Sequence, residues 1–527
     1  AAEVEHTVVV VRLRADQTLE SVRAHFDAAV PWGGPVPLLD ASAYLDDAGA
    51  GDVSDLADGV RLQRLALALI TRGAPVVSLI TAGEPEPRSP FLTTWTAKTL
   101  RSRSPTWRLS SAPVSVPDEE TRWRVLTEAP QREGHQVTLQ LENAAARRAL
   151  VAGIGAARER VHWQSYMVDD DPISEEVADA LRQAGARGVK VRVLVDALYS
   201  LHDAYGTRNP VLERLGASPG VEVRAAQPLS GLPHVVDLKQ RNHRKLSCID
   251  RRFATVSGRN LGAPYYRGFG ELELTRTTNF HDVPWLDAGV AFEGPLVEAV
   301  DRSFLADWER AGGAPFEVSP APVAGTMACR LVLHQGLEDA HCLDAQLELI
   351  RTAKQRLVLV NTFPLLLELQ RAFVAAIRRG VRVQFLFGSV RPRWGDDQPF
   401  GHGALRSLAD ELVRARLSPV LRAGAEGFQY TVAAQELGPV FTHVHAKLMV
   451  RDDDAVIVGS ANTDVTSAYW ESEAMLVVHD AGFARSTLAE LEPLMATGRP
   501  VDLRVGSWKE DEARREWLSR NWPTLFP

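Results

Sequence analysis

Two short runs in this chain place a lysine two residues after a histidine and an aspartate five residues after that lysine. One is His243, Lys245 and Asp250 within NHRKLSCIDRRFATVSGRN; the other is His445, Lys447 and Asp452 within THVHAKLMVRDDDAVIVGSAN. Each is followed by a small-residue turn ending in asparagine, Ser257-Gly258-Arg259-Asn260 and Gly459-Ser460-Ala461-Asn462. These residue types suit a phosphodiester. Two ammonium groups and the Asn amides can hold the non-bridging oxygens as charge builds on them. One imidazole can attack phosphorus while the other protonates the leaving oxygen. The protein supplies the cations, so this chemistry calls for no metal and no cofactor.

A single His-x-Lys-x4-Asp run is expected by accident about 0.01 times in a chain of this composition. Two at matching places in a repeat are far rarer. Only seven of the 59 basic residues are lysine, and two of those seven sit in the motifs. Where arginine is the default cation, a retained lysine points to a compact, rotatable point charge that the planar guanidinium cannot imitate. Both segments alternate and are rich in Leu, Val and Ile, so they read as strands. Residues i and i+2 of a strand share a face, so each histidine and its lysine point the same way. Asp250 and Asp452, at an odd offset from their histidines, would face away. They complete the catalytic motif as supporting groups and not as acids acting on substrate. His443 would share the face of His445, and reads equally as a pocket residue or as a surface histidine.

The elements that must position these residues occur twice. ERVHWQSYMVDDDPISEEVADALRQAGARGVKVRVLVD, from Glu159, and AKQRLVLVNTFPLLLELQRAFVAAIRRGVRVQFLFGS, from Ala353, share one pattern. Each is an apolar strand, an amphipathic helix, an Arg-Gly-Val break and a second apolar strand, with glycine as the expected helix C-cap. Near-continuous apolar strands around a helix indicate parallel pairing in an α/β sheet. The expected fold class is therefore α/β, built from duplicated units. The Pro/Ala/Gly-rich SPAPVAGT, from Ser319 to Thr326, separates the copies. The expected division is an N-terminal accessory region over 1–124, a first unit over 125–322 and a second over 323–527. In the accessory region Thr7 to Leu13 reads as a strand and Leu19 to Ala29 as a helix.

Composition bounds the rest. The 527 residues are 45% hydrophobic and 24% charged, with a formal charge of −8. That is ordinary for a globular protein and lacks the cationic excess of proteins that grip nucleic acid, so no nucleic-acid partner is expected. Cys248, Cys329 and Cys342 match no zinc pattern, and at best Cys329 could pair with Cys342. No stretch approaches 18 consecutive apolar residues, so no membrane-spanning helix is expected, and the compartment, cytoplasmic or secreted, is not legible.

The paired motifs and their asparagine turns resemble the phospholipase D superfamily, over roughly residues 125 to 527. The resemblance implies two units related by a pseudo-two-fold axis and a phosphohistidine intermediate resolved by water or an alcohol. It implies His243 as nucleophile and His445 as general acid, in an otherwise symmetric site. Lys245, Lys447, Asn260 and Asn462, with Ser460, would bind substrate. It also implies a carboxylate downstream of each motif to orient its imidazole. Glu473 in GSANTDVTSAYWESE matches that position, and Asp282 in NFHDVPWLDAGVAFEGPLV is the expected counterpart. Phe304 and Trp308 fit the family's aromatic pair, while Thr466 and Glu471 stand where the family often has Arg and Asn. Tyr265, Tyr266, Phe269 and Trp285 read as core or as the lining of an acyl channel. The expected function is phospholipase D-type cleavage of a phospholipid head group at a membrane or micelle surface. Phosphatidyl transfer of the cardiolipin synthase kind, a nuclease of the same superfamily and a binding protein on a decayed fold are the alternatives. Two motifs in one chain make a monomer sufficient.

Overall fold

The structure is a computed structural model. It describes residues 118–198, 209–227, 238–336, 339–390, 392–395, 398–399 and 406–521, with six short strands before residue 117. Four of these, Val9–Arg12, Pro37–Asp40, Val77–Thr81 and Leu92–Thr96, form a parallel sheet in chain order. The strand expected near the N-terminus is among them; the helix expected over Leu19 to Ala29 lies outside the described residues.

The rest is built on one large mixed sheet. Its first half holds Arg132–Gln140 (β1), Arg160–Ser165 (β2), Lys190–Asp196 (β3), Val221–Ala226 (β4), Leu246–Ile249 (β5), Phe253–Ser257 (β6) and Gly289–Glu293 (β7). Its second holds Met327–His334 (β8), Arg356–Val360 (β9), Arg382–Phe387 (β10), Glu426–Gln429 (β11), Leu448–Arg451 (β12), Ala455–Gly459 (β13) and Glu473–His479 (β14). The order is β4-β3-β2-β5-β6-β7-β1-β8-β14-β13-β12-β9-β10-β11, with Arg499–Pro500 at the far edge. Read outward from the β1–β8 junction, the two halves have the same order. The duplication seen in the sequence is thus a duplication of topology. β2, β3 and β4 run parallel, as do β9, β10 and β11, while the strands after each motif are antiparallel hairpins.

Local chemistry accounts for the repeat. In the first unit the helix Pro172–Ala186 starts with Asp171 accepting from the Ser174 N–H and Pro172 in the first turn. It ends where Gly188 takes φ 91° and the Val189 N–H reaches back to the Ala184 carbonyl at 3.1 Å. The second unit repeats this ending: Gly380 has φ 90° and Val381 donates to Ala376 at 3.1 Å. The glycine is needed for the left-handed turn that sends each chain back into a buried strand. β2 and β13 are buried on both faces, which explains their lack of alternation.

The units share a core. Val256, Val290 and Phe292 of the first pack in one apolar cluster with Val358, Val458 and Leu476 of the second. Each such side chain contributes about 1.5–3 kcal/mol by leaving water, so the halves are held face against face. The helix Glu119–Thr127 joins the second unit, burying Trp123 in its core and pairing Arg122 Nε with Glu348 at 2.5 Å. Cys248, Cys329 and Cys342 are buried free thiols. Among the described residues no helix is long and apolar enough to cross a membrane.

Candidate active site

Each motif histidine lies in an extended segment just before a strand, since β5 begins at Leu246 and β12 at Leu448. These segments pair with the opposite unit. Asn242 bridges to Ser472, with the His243 N–H on the Ser472 carbonyl at 3.0 Å. Leu286 bridges to Val444, with the His445 N–H on the Leu286 carbonyl at 2.7 Å. Ser472 precedes Glu473 and Leu286 precedes Asp287, so each backbone pairing delivers a carboxylate to the other unit's histidine. His243 Nδ1 lies 2.8 Å from Glu473 Oε1, and His445 Nδ1 lies 2.7 Å from Asp287 Oδ2.

Both imidazoles are buried. A carboxylate on Nδ1 fixes the hydrogen there and leaves Nε2 as the reactive nitrogen. Neither Nε2 has a hydrogen-bond partner among the described residues. Burial, reinforced by the lysine charges, holds both rings in the neutral form: His243 is pushed down to about 4 and His445 well below its ordinary value. Burial works to raise Glu473, but His243, Lys245 and the Ser460 hydroxyl outweigh it and hold it at about 2. Asp287 is likewise held well below the usual carboxylate range: burial opposes this, and His445, Lys447 and Arg259 prevail.

The lysines close the site. Lys245 Nζ donates to the His243 carbonyl at 2.6 Å and Lys447 Nζ to the His445 carbonyl. Lys245 stands 4.8 Å from the Tyr166 ring centre, and Lys447 5.1 Å from that of Phe363. Burial lowers Lys245 to about 7, with the Lys447 charge adding to the shift, and lowers Lys447 to about 8. A phosphodiester anion between them would restore both charges. Gly258 brings the units this close: a Cβ there would lie 2.4 Å from Asp287 Oδ1 and 3.2 Å from Lys447 Cδ.

The asparagines flank this centre. Asn260 Nδ2 donates to the Tyr265 hydroxyl at 3.0 Å, and the Oδ1 atoms of Asn260 and Asn462 are both buried without a partner among the described residues. Rotating either amide by half a turn would present N–H donors there instead.

Two sequence expectations need correction, those for Asp282 and Ser460, and the supporting role of Asp250 and Asp452 takes a definite form. Asp282 does not hold a histidine: it is half-exposed and pairs with Arg267 at 3.1 Å, while Asp287, five residues on, takes the role. Asp250 and Asp452 face away from the catalytic centre, as their odd offset from the histidines predicts, and support the scaffold. Each sits in the tight turn after its strand, with φ near 50°, and caps the chain entering the neighbouring strand. Asp250 accepts from the N–H groups of Arg158, Glu159 and Arg160 at 2.8–2.9 Å, and Asp452 from those of Lys354, Gln355 and Arg356 at 2.7–3.2 Å. Ser460 buttresses Glu473, donating to Oε2 at 2.5 Å, instead of facing substrate, and Ser467 donates to Oε1 at 2.5 Å.

Other residues fall where they were not sought. Tyr166 packs edge-on to His243 at 4.6 Å, and Phe363 to His445 at 6.0 Å. Both follow the second strand of their unit, and an aromatic at equivalent strand ends was the available signal. Tyr265 and Trp285 lie against His445 at 5.0 and 5.8 Å, whereas Tyr266 belongs to the core of the first unit and Phe269 packs on Tyr430. Phe304 and Trp308 stack at 5.7 Å against Leu194 and Ala226. Glu471 is buried with Oε2 3.7 Å from His243 Nδ1; burial and the charges of Glu473 and Asp464 push it well above the usual carboxylate range. His243, Glu471 and Glu473 bring three donor atoms within 4.8 Å. The Nδ1–Glu473 hydrogen bond that orients the imidazole already engages two of those three residues.

A duplicated α/β sheet thus brings two crossed histidine–carboxylate pairs and two buried lysines into one centre. The sequence matches the family "Cardiolipin synthase, PLD-like domain" over residues 150–275 and 347–495, just over half of the chain. The chain belongs to this family of the phospholipase D superfamily. It is 29% identical over 372 residues to cardiolipin synthase A of Pseudomonas aeruginosa, covering 70% of this chain and 68% of that one. It is 28% identical over 388 residues to cardiolipin synthase A of Pseudomonas fluorescens, covering 72% of each. The fold is also that of phosphatidylserine synthase from Haemophilus influenzae, with TM-score 0.53 and 13% identity, over 78% of this chain and 100% of that one.

Proposed function

We propose that the chain is a phosphatidyltransferase of the cardiolipin synthase kind, with hydrolysis of phospholipase D type as the competing reaction. The observation that carries this is the pair of crossed histidine–carboxylate contacts above two buried lysines, and the cardiolipin synthase relatives favour transfer over hydrolysis. His243 Nε2 attacks the phosphorus of a glycerophospholipid. The bond to the head-group oxygen breaks, and that oxygen takes a proton from His445 Nε2. Burial and the Lys447 charge keep His445 neutral in the empty site; the incoming phosphodiester offsets the Lys447 charge, so the ring can hold this proton in the complex. In the second half an acceptor hydroxyl gives its proton to His445 and its oxygen attacks phosphorus. The P–N bond then breaks, returning the electron pair to His243.

Lys245 and Lys447 neutralise the oxygens of the transition state in a site of low dielectric. Glu473 and Asp287 orient the rings and stabilise the positive charge that each acquires.

The test is to incubate the protein with short-chain phosphatidylglycerol and analyse the products by mass spectrometry. Transfer gives a lipid with two phosphatidyl groups and free glycerol. Phosphatidic acid as sole product would make the protein a hydrolase. Cleavage of single-stranded DNA or plasmid, with the lipid untouched, would move it to the nucleases.

A further inference from the structure

The two halves of the pocket differ two residues before each motif histidine. On the first side that place is Arg241, whose guanidinium is committed to the buried Asp196 carboxylate at 2.9–3.1 Å and to the Gln227 carbonyl at 2.8 Å. On the second side it is His443. The chain there is extended, so His443 and His445 share a face, with ring centres 5.8 Å apart. Both rings lie against Trp285, at 4.7 and 5.8 Å, and against Phe363, at 5.9 and 6.0 Å. His443 is only 5% exposed.

Its tautomer is set by the backbone. Nδ1 lies 3.1 Å from the Ser389 carbonyl oxygen, which can only accept, so Nδ1 carries the hydrogen and Nε2 is an acceptor. Nε2 has no partner among the described residues. Three charged or titratable groups bear on this ring: Lys447, Asp287 and His445. Burial and the Lys447 charge push His443 down to about 4, in keeping with a neutral ring.

His443 therefore offers one hydrogen-bond acceptor in an aromatic wall, beside the ring that takes the proton from the acceptor alcohol. We propose that His443 selects polyol acceptors: its Nε2 accepts a hydrogen bond from a second hydroxyl of the alcohol whose first hydroxyl is deprotonated by His445. This rests on the transferase reading above. Two imidazoles on adjacent same-face positions match two hydroxyls of one short polyol. Water and monohydric alcohols have one hydroxyl and leave Nε2 unused. His443 exchanges no proton in the reaction and acts as a specificity-determining residue.

The experiment is a competition for one adduct. The full chain is given phosphatidylcholine as donor, with glycerol, 1-propanol and water as acceptors together, and the three products are quantified. Because all three arise from the same phosphohistidine, their ratios are blind to the rate of its formation and to the amount of folded enzyme. The wild type should prefer glycerol over 1-propanol. In His443→Phe, which keeps an aromatic ring but no acceptor, that ratio should fall about tenfold, the worth of one well-placed hydrogen bond in a dry site. The ratio of 1-propanol to water should hold. His443→Gln, which can donate to Ser389 and still accept, should recover part of the preference. An unchanged glycerol ratio in His443→Phe, with transfer intact, would overturn the role of His443 alone. A wild type that transfers to neither alcohol would overturn the transferase reading, and the acceptor role with it.

Discussion

Glu473 belongs to the second unit, yet its Oε1 lies 2.8 Å from Nδ1 of His243 in the first. The reciprocal contact, His445 to Asp287 at 2.7 Å, makes the exchange mutual. Neither unit holds a complete site: each supplies a histidine, a lysine and the other's carboxylate. The pairing also ties the shared core to the chemistry, because any shift between the units would move both carboxylates away from their rings.

Asp287 and Asp282 can be told apart directly. Asp287→Asn should lower kcat by at least about a hundredfold, because it removes the charge that fixes the tautomer of His445 and stabilises its protonated form. Asp282→Asn should stay near wild type, since it breaks only a half-exposed pair with Arg267. Steady-state kinetics on both variants decides between them, and equal losses would mean that Asp287 does not have this role.

Asp250 and Asp452 should matter to stability and not to turnover. Each carboxylate satisfies three backbone N–H groups. Asp250→Ala should cost about 1–3 kcal/mol of unfolding free energy by orphaning them. The folded fraction should keep near-wild-type kcat. A large drop in kcat without a drop in Tm would place the residue back in the catalytic set.

Lysine cannot be exchanged for arginine here. Lys447 is buried with its Cδ close against Gly258, and the wider guanidinium has no room between the units. Lys245→Arg and Lys447→Arg should each reduce kcat by at least about a hundredfold. Near-full activity in either would show that the ammonium does not touch the reacting phosphate.

Phosphodiester binding should take up protons. Lys245, lowered to about 7, is largely neutral at pH 8 in the empty site, and Lys447, at about 8, is half charged. An anion raises both values, so binding drives protonation, and affinity should fall as pH rises through about 7 to 8. Calorimetry with dimethyl phosphate at pH 8, in buffers of different ionisation enthalpy, measures the uptake. A binding heat independent of the buffer would contradict it.

The histidines should separate with a good leaving group. A p-nitrophenyl phosphodiester needs little protonation, so His445→Ala should release a burst of nitrophenolate and stall with the phosphoryl group on His243. His243→Ala should give no burst. Digests kept away from acid would locate the adduct by mass spectrometry. Phosphate on His445 instead would reverse the assignment, and no adduct on either ring would indicate direct attack by water.

Much of this was written in the sequence. The repeat, its parallel strands, the Arg-Gly-Val helix endings and both His/Lys pairs follow from local periodicity and residue type, which act over one or two elements. Glu473 was also legible, because GSANTDVTSAYWESE resembles the family's motif ending and puts it at the acid position. Tertiary structure decided what crosses between units. Asp287 won over Asp282 because Leu286, not a residue near 282, pairs with Val444, and such a bridge leaves no local pattern. Asp250 and Asp452 belong to the motif as letters but to the scaffold in space: a turn with positive φ turns their carboxylates back onto the entry of the neighbouring strand. His443 could be read as surface or pocket until Trp285, from the other unit, closed over it. Sequence alone fixes which residues share a strand face. Only the packing of one unit on the other fixes which faces meet, because that choice rests on burial and hydrogen bonds between residues tens to hundreds of positions apart.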